Sequence, residues 1–161
     1  MEHPKVADAI ATIGLLARNG LEFIVIGGAA GALHGSPQGT LDVDIIRSRT
    51  PENIAKTLEV LDDLQAYTRF DARRLPINAT HLQAKGALLM ATRLGPLDLL
   101  GALNDGRGYE ELLPHTELFE IAGWPVRVLD LPTLIEVKAA AGRDKDKLAV
   151  MHLTAILRRR G

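Results

Sequence analysis

At 161 residues the chain has the length of one ordinary domain, able to bury roughly two-thirds of the surface its unfolded form exposes. Its 19 basic and 20 acidic residues nearly cancel, which excludes a global field for nucleic acid, an anionic membrane or a polyanionic partner and leaves only local contacts. Cysteine is absent, so disulfides and thiolate zinc sites are excluded; charges interrupt the apolar positions of residues 1–20, unlike a signal peptide or spanning helix, and the expectation is a cytoplasmic protein without membrane contact.

Val6, Ile10, Ile13 and Ala17 recur at helical spacing up to a stop at Asn19-Gly20. The run "LEFIVIGG" predicts a short buried strand that ends in Gly27 and Gly28, and "AAGALHG" a brief helix closed by Gly35. After the turn "SPQG", the stretch "TLDVDIIR" predicts a second strand in which Asp42 and Asp44 share one face. Thr50 caps the next helix, with Pro51 at its first position and Ile54, Leu58 and Leu61 on one face.

Residues 66–85 show no sustained period and read as a mixed, partly exposed connection that could hide a strand. "ALLMATR" and "LDLLGAL" flank Gly95-Pro96 and predict two strands joined by a tight turn there. "YEELL" reads as one or two helical turns. "ELFEIAGWPVRVLD" is a further strand–turn–strand, with Pro125 demoting its second strand toward an edge. Asp130 caps a helix with Pro132 in its first turn, ending near Ala141-Gly142, and a last helix spans about residues 144–158. Together these elements predict a single α/β (α+β) domain over residues 1–161, built on one mixed sheet flanked by helices.

The chemistry concentrates in three places. An Asp-x-Asp strand can carry its acids on a solvent face, and a glycine pair can make a plain strand-to-helix turn. The strand before the acids, however, ends in Gly27-Gly28, where backbone N–H groups freed of side chains can approach an anion closely and a helix beginning there adds its positive end. Asp98, flanked by Leu97 and Leu99, repeats the apolar–acid–apolar pattern of Asp44. If its strand pairs beside residues 41–46, three carboxylates meet, and such a repulsive cluster calls for a hard divalent cation, Mg²⁺ or Mn²⁺. Lys138 falls about 40° from Leu134 on a helical projection, inside an apolar stripe, where it either snorkels to water or aims its ammonium at a phosphate.

These residues resemble a known pattern. "GGAAGALHGSPQGTLDVDI", "LDLL" and "LIEVKAAAGRDKDKLAVMHL" are similar to nucleotidyltransferases of the DNA polymerase β superfamily, especially the small bacterial branch that includes AbiEii-like toxins and minimal nucleotidyltransferases. The resemblance implies the polymerase β-like fold and transfer of an NMP from an NTP to a hydroxyl acceptor, which could be RNA such as tRNA, a protein or a small molecule. A toxin of a toxin–antitoxin pair is one role carried by the same analogy, and either the acceptor is small or a partner protein or a second copy presents it. Asp42, Asp44 and Asp98 are then the catalytic and metal-binding residues, and Gly27, Gly28, Thr40, Lys138 and Arg143 the nucleotide-binding ones, with Mg²⁺ or Mn²⁺ as cofactor. Arg143 and Lys145 read equally well as basic residues of a helix–helix junction, and Asp146 as a capping or ion-pairing residue. Gln38 and Gly28 depart from the pattern, standing where many relatives have an Arg and a Ser. They support the alternative, a catalytically inactive nucleotide-binding or interaction module on the same fold.

Overall fold

The computed structural model describes residues 6–38 and 42–160. Thr40 and Leu41, which the sequence places at the start of the acid-bearing strand, lie outside them. The first helix, α1 (Val6–Arg18), ends where expected, with Gly20 at φ 76°. Strand β1 (Phe23–Ile26) is wholly buried and runs into the short helix α2 (Gly27–Leu33), so Gly27 and Gly28 belong to that helix and the strand is shorter than predicted. Strand β2 (Val43–Arg47) follows, then α3 (Pro51–Asp63), where Thr50 Oγ1 accepts from Asn53 N–H at 3.3 Å and Pro51 opens the helix.

The unpatterned stretch does hide a strand, β3 (Tyr67–Thr68), and a short helix, α4 (Ala79–Gln83). Strands β4 (Leu88–Thr92) and β5 (Gly95–Leu100) form the expected hairpin, but the turn falls at Arg93-Leu94, because Gly95 and Pro96 already pair with Thr92 and Ala91. Helix α5 (Tyr109–Leu112), strands β6 (Thr116–Ile121) and β7 (Trp124–Leu129), and helices α6 (Leu131–Ala141) and α7 (Asp144–Arg160) complete the chain. Asp130 caps α6 by accepting from Thr133 N–H at 2.9 Å, and Gly142 ends it at φ 70°, a left-handed backbone that side chains disfavour.

The seven strands form one mixed sheet in the order β3-β4-β5-β2-β1-β7-β6. The expectation that Pro125 places its strand at an edge is overturned: β7 lies between β1 and β6. The reason is register. Parallel pairing with β1 runs only from Arg127, so the missing proline N–H faces no partner on that side. Pro96 uses the same device, one residue before β5 begins to pair with β2 at Leu97.

Period-two alternation then sorts the central strands. Val43, Ile45, Leu97, Leu99 and Met90 are buried in one continuous core with residues of α1, α3, α6 and α7. Their neighbours Asp44 and Asp98 therefore face the other way. Among the described residues no helix is long and apolar enough to cross a membrane.

Candidate active site

Strands β2 and β5 run parallel with Asp44 directly opposite Asp98, and β1 sets Ile26 opposite Asp44 from the other side. Neighbouring strands lie about 4.8 Å apart, so two carboxylates stand shoulder to shoulder on a half-buried face. Like charges placed this way destabilise a sheet. Burial, then a hydrogen bond shared with Asp98 and repulsion from Asp98 and Asp42, push the Asp44 carboxyl up to about 7, against the pull of the Lys138 ammonium. Oδ1 of Asp44 is buried with no hydrogen-bond partner among the described residues.

Gly27 completes this side. Its φ is 64°, and a Cβ added there would stand 2.5 Å from Asp44 Oδ2. Glycine is thus demanded twice, by the backbone and by the carboxylate beside it. The short helix that starts at Gly27 has no side-chain cap, and Gly27 and Gly28 are half-buried at the wall of a cavity.

Two cavities flank Asp44. The first, of about 300 Å³, is polar and is lined by Gly28, Ser36, Gln38, Asp42, Lys138 and Lys145 among others. The second, of about 260 Å³, is largely apolar and is lined by Ile26, Leu100, Leu103, Leu129, Leu134 and Val137, with Asp105 at its rim. Gly27, Asp44, Lys138, Arg143 and Asp146 border both. Lys138 therefore points from its apolar stripe into the site, with Nζ 3.8 Å from Asp146 Oδ1.

Asp146 organises this cationic wall from a buried position. It accepts from Arg143 Nε at 2.6 Å and from the Arg143 backbone N–H at 3.3 Å, and these bonds hold its carboxyl below the usual carboxylate range. The sequence-derived reading of Asp146 as an ion-pairing residue agrees with this placement. Arg143 is committed to Asp146 and stands largely exposed at the mouth, so it joins the site as the outer arm of an ion pair. Gln38, in the place of the missing cation, reaches across to the start of α7, its Nε2 donating to Lys145 O at 3.4 Å.

The expected convergence of three acids is met in part. Asp42, Asp44 and Asp98 share one region, but Asp98 Oδ1 accepts from Arg69 Nη2 at 2.8 Å. Among the described residues no three acid or imidazole side chains gather as a ready-made metal cage. The donor set still fits a hard cation: it is all oxygen, it repels itself, and it includes a buried carboxylate oxygen with no hydrogen-bond partner among the described residues. Sequence reasoning missed Arg69, which lies in "YTRFDARR"; three arginines beside a short β-branched and aromatic segment were the available signal. His34 is structural: Nε2 donates to Leu129 O at 2.8 Å while Nδ1 faces Arg160 Nη2 at 3.3 Å.

No family model matches the chain, and no curated protein does. Solved structures do. A lincosamide antibiotic adenylyltransferase, LnuA, solved with lincomycin bound, is similar at 10% identity and a TM-score of 0.68, over 96% of this chain and 99% of its own. The antibiotic-resistance factor ANT(2'')-Ia is similar at 16% identity and a TM-score of 0.58, over 92% of this chain and 82% of its own. An antigenic nucleotidyltransferase-like protein from Paracoccidioides brasiliensis is similar at 13% identity and a TM-score of 0.55, over 96% and 78%. At such identities the likeness speaks for architecture alone, and the architecture of this chain, a mixed seven-stranded sheet with its helices, is the nucleotidyltransferase fold.

Proposed function

We propose that the protein is a nucleotidyltransferase that moves a nucleoside monophosphate from an NTP to a hydroxyl acceptor and releases pyrophosphate. One observation carries the reading: Asp44, in register with Asp98 on the adjacent strand, borders one cavity together with Gly27, which must have no side chain, and with Lys138 and Arg143.

Asp42 and Asp44 are the residues that would hold Mg²⁺ or Mn²⁺, with Asp98 beside them. Such a cation, when bound, supplies Lewis-acid stabilisation of charge on the transferring phosphoryl group. Lys138 and Arg143 bind the β- and γ-phosphates, and the backbone at Gly27 and Gly28 lets those phosphates approach closely. Asp98 serves the acceptor. Its Oδ1 is taken by Arg69, so Oδ2 receives the hydroxyl proton as the acceptor oxygen bonds to the α-phosphorus. The bond from that phosphorus to the bridging oxygen breaks, and pyrophosphate leaves with the electron pair, its charge met by Lys138 and Arg143.

The apolar cavity next to Asp44 gives room for a compact ligand. A small hydroxyl-bearing acceptor is therefore the preferred class. Two proteins similar in fold were solved with small molecules, LnuA with lincomycin bound and ANT(2'')-Ia in complex with adenylyl-2''-tobramycin. A second reading, a nucleotide-binding module without turnover, draws on the Arg69–Asp98 pair, which occupies the third acid.

The test is label transfer. The protein is incubated with each α-labelled NTP, Mg²⁺ or Mn²⁺, and three acceptor pools: total tRNA, an extract's proteins and its small molecules. Transfer to one pool, lost in Asp42→Asn plus Asp44→Asn, supports the enzyme and assigns the acceptor. Nucleotide binding without transfer to any pool supports the module. Toxicity on expression, relieved by mutation of the same two acids, tests the toxin role.

A further inference from the structure

Arg69 lies outside every stretch that resembles the nucleotidyltransferase pattern, just after β3. Its backbone N–H donates to Leu89 O at 2.8 Å, and Leu89 stands opposite Asp98, which stands opposite Asp44. Four residues thus form one row across the sheet. From β3 to β5 the side chain must cross two strand spacings, about 9.6 Å, a span within reach only of the longest cationic side chains. The guanidinium is held at two points: Nη1 donates to Met90 O at 2.8 Å and Nη2 to Asp98 Oδ1 at 2.8 Å.

Both side chains are largely withdrawn from water, at 20% and 17% exposure, so the pair is stronger than a surface ion pair. The Phe70 ring packs on the guanidinium with its centroid 5.1 Å away. Phe70 itself is 85% exposed and adopts φ 68°, a conformation rarely taken by a bulky side chain. Such strain persists where the surroundings over-determine it, and here it accompanies the residue that reaches the acid cluster.

We propose that Arg69 is a positioning residue for the transfer reaction: it captures Oδ1 of Asp98, confines that carboxylate to one working oxygen, and keeps it from closing on a cation together with Asp42 and Asp44. The proposal rests on the nucleotidyltransferase reading for its effect on turnover, though not for its effect on cation affinity. Three carboxylates accompanied by one guanidinium present a weaker attraction to a divalent ion than three carboxylates alone. Removing Arg69 therefore moves two readouts in opposite directions. Cation binding tightens, because Asp98 is released to join the other acids, while turnover falls, because Asp98 no longer faces the acceptor.

The experiment titrates Mn²⁺ into the nucleotide-free protein by electron paramagnetic resonance and measures label transfer in parallel, for the parent, Arg69→Met, Arg69→Gln and Arg69→Lys. In Arg69→Met, Mn²⁺ Kd is expected to fall about fivefold or more and kcat about tenfold or more, with KM for the NTP within about twofold. Arg69→Lys, which keeps the charge without the fork, restores Mn²⁺ affinity toward the parent value and part of the turnover. Arg69→Gln gives the same answer should Arg69→Met fold poorly. Mn²⁺ affinity that is unchanged or weaker in a folded Met or Gln variant overturns the proposal, as does turnover left intact. A parent that binds Mn²⁺ but transfers no label defeats the nucleotidyltransferase reading, while the Mn²⁺ titrations still decide whether Arg69 restrains Asp98.

Discussion

Replacing Asp44 by Asn should stabilise the metal-free protein, and only above a definite pH. The carboxyl is raised from its ordinary 3.8 to about 7, first by burial and then by Asp98 and Asp42. A group whose folded-state value is raised binds its proton more tightly in the native state. Its contribution is therefore fully present below about pH 4 and is lost as pH rises through about 7. At about 1.4 kcal/mol per pH unit, the ceiling on that loss is about 4 kcal/mol. Asp44 is only half-buried, so solvent relaxation and counter-ions reduce the figure to about 1–2 kcal/mol. Asparagine keeps the shape and removes the charge. At about 2–4 °C per kcal/mol for a chain of this size, Asp44→Asn should raise Tm by roughly 2–8 °C at pH 8 in EDTA. The gain should shrink at pH 5.5 and vanish near pH 4. Thermal melts of parent and variant across that series, each repeated with about 10 mM MgCl₂, give the assay. Magnesium should stabilise the parent and leave the variant unmoved. A variant less stable than the parent at pH 8, or a gain equal at pH 4 and pH 8, would show that Asp44 is not a strained carboxylate.

Gly27→Ala meets both a positive φ and the Asp44 carboxylate, so it should cost about 1–2 kcal/mol in a denaturant melt and abolish protection by magnesium. Lys138→Met should raise KM for the NTP about tenfold or more, with the fold intact by circular dichroism, since the ammonium serves the phosphates. Asp146→Asn should lower Tm by several degrees at pH 7. Here the sign is opposite to that at Asp44: the carboxyl is held low by Arg143, so its stabilisation is present above the ordinary value and fades as pH falls toward the depressed one, and the difference between variant and parent should close in acid.

Local signals in the chain were enough to determine the helices with chemical caps, Thr50-Pro51 and Asp130 with Pro132, because a cap is satisfied by atoms three residues away. The same holds for the buried strand at Phe23–Ile26 and for the hairpins, whose partners are close in sequence. The acids and glycines of the candidate site stood out too, since a charge inside an apolar strand and a side-chain-free turn differ from their neighbours. What the chain alone left open was the pairing of strands distant in sequence. The pairing of Asp44 with Asp98 depends on a parallel register between strands about fifty residues apart. Pro125 misled because proline reports only that an N–H is missing, whereas the fold decides which side of the strand needs one. Arg69 was invisible for the same reason: its partner lies two strands away, in a segment without periodicity, and only the assembled sheet brings a guanidinium to the third carboxylate.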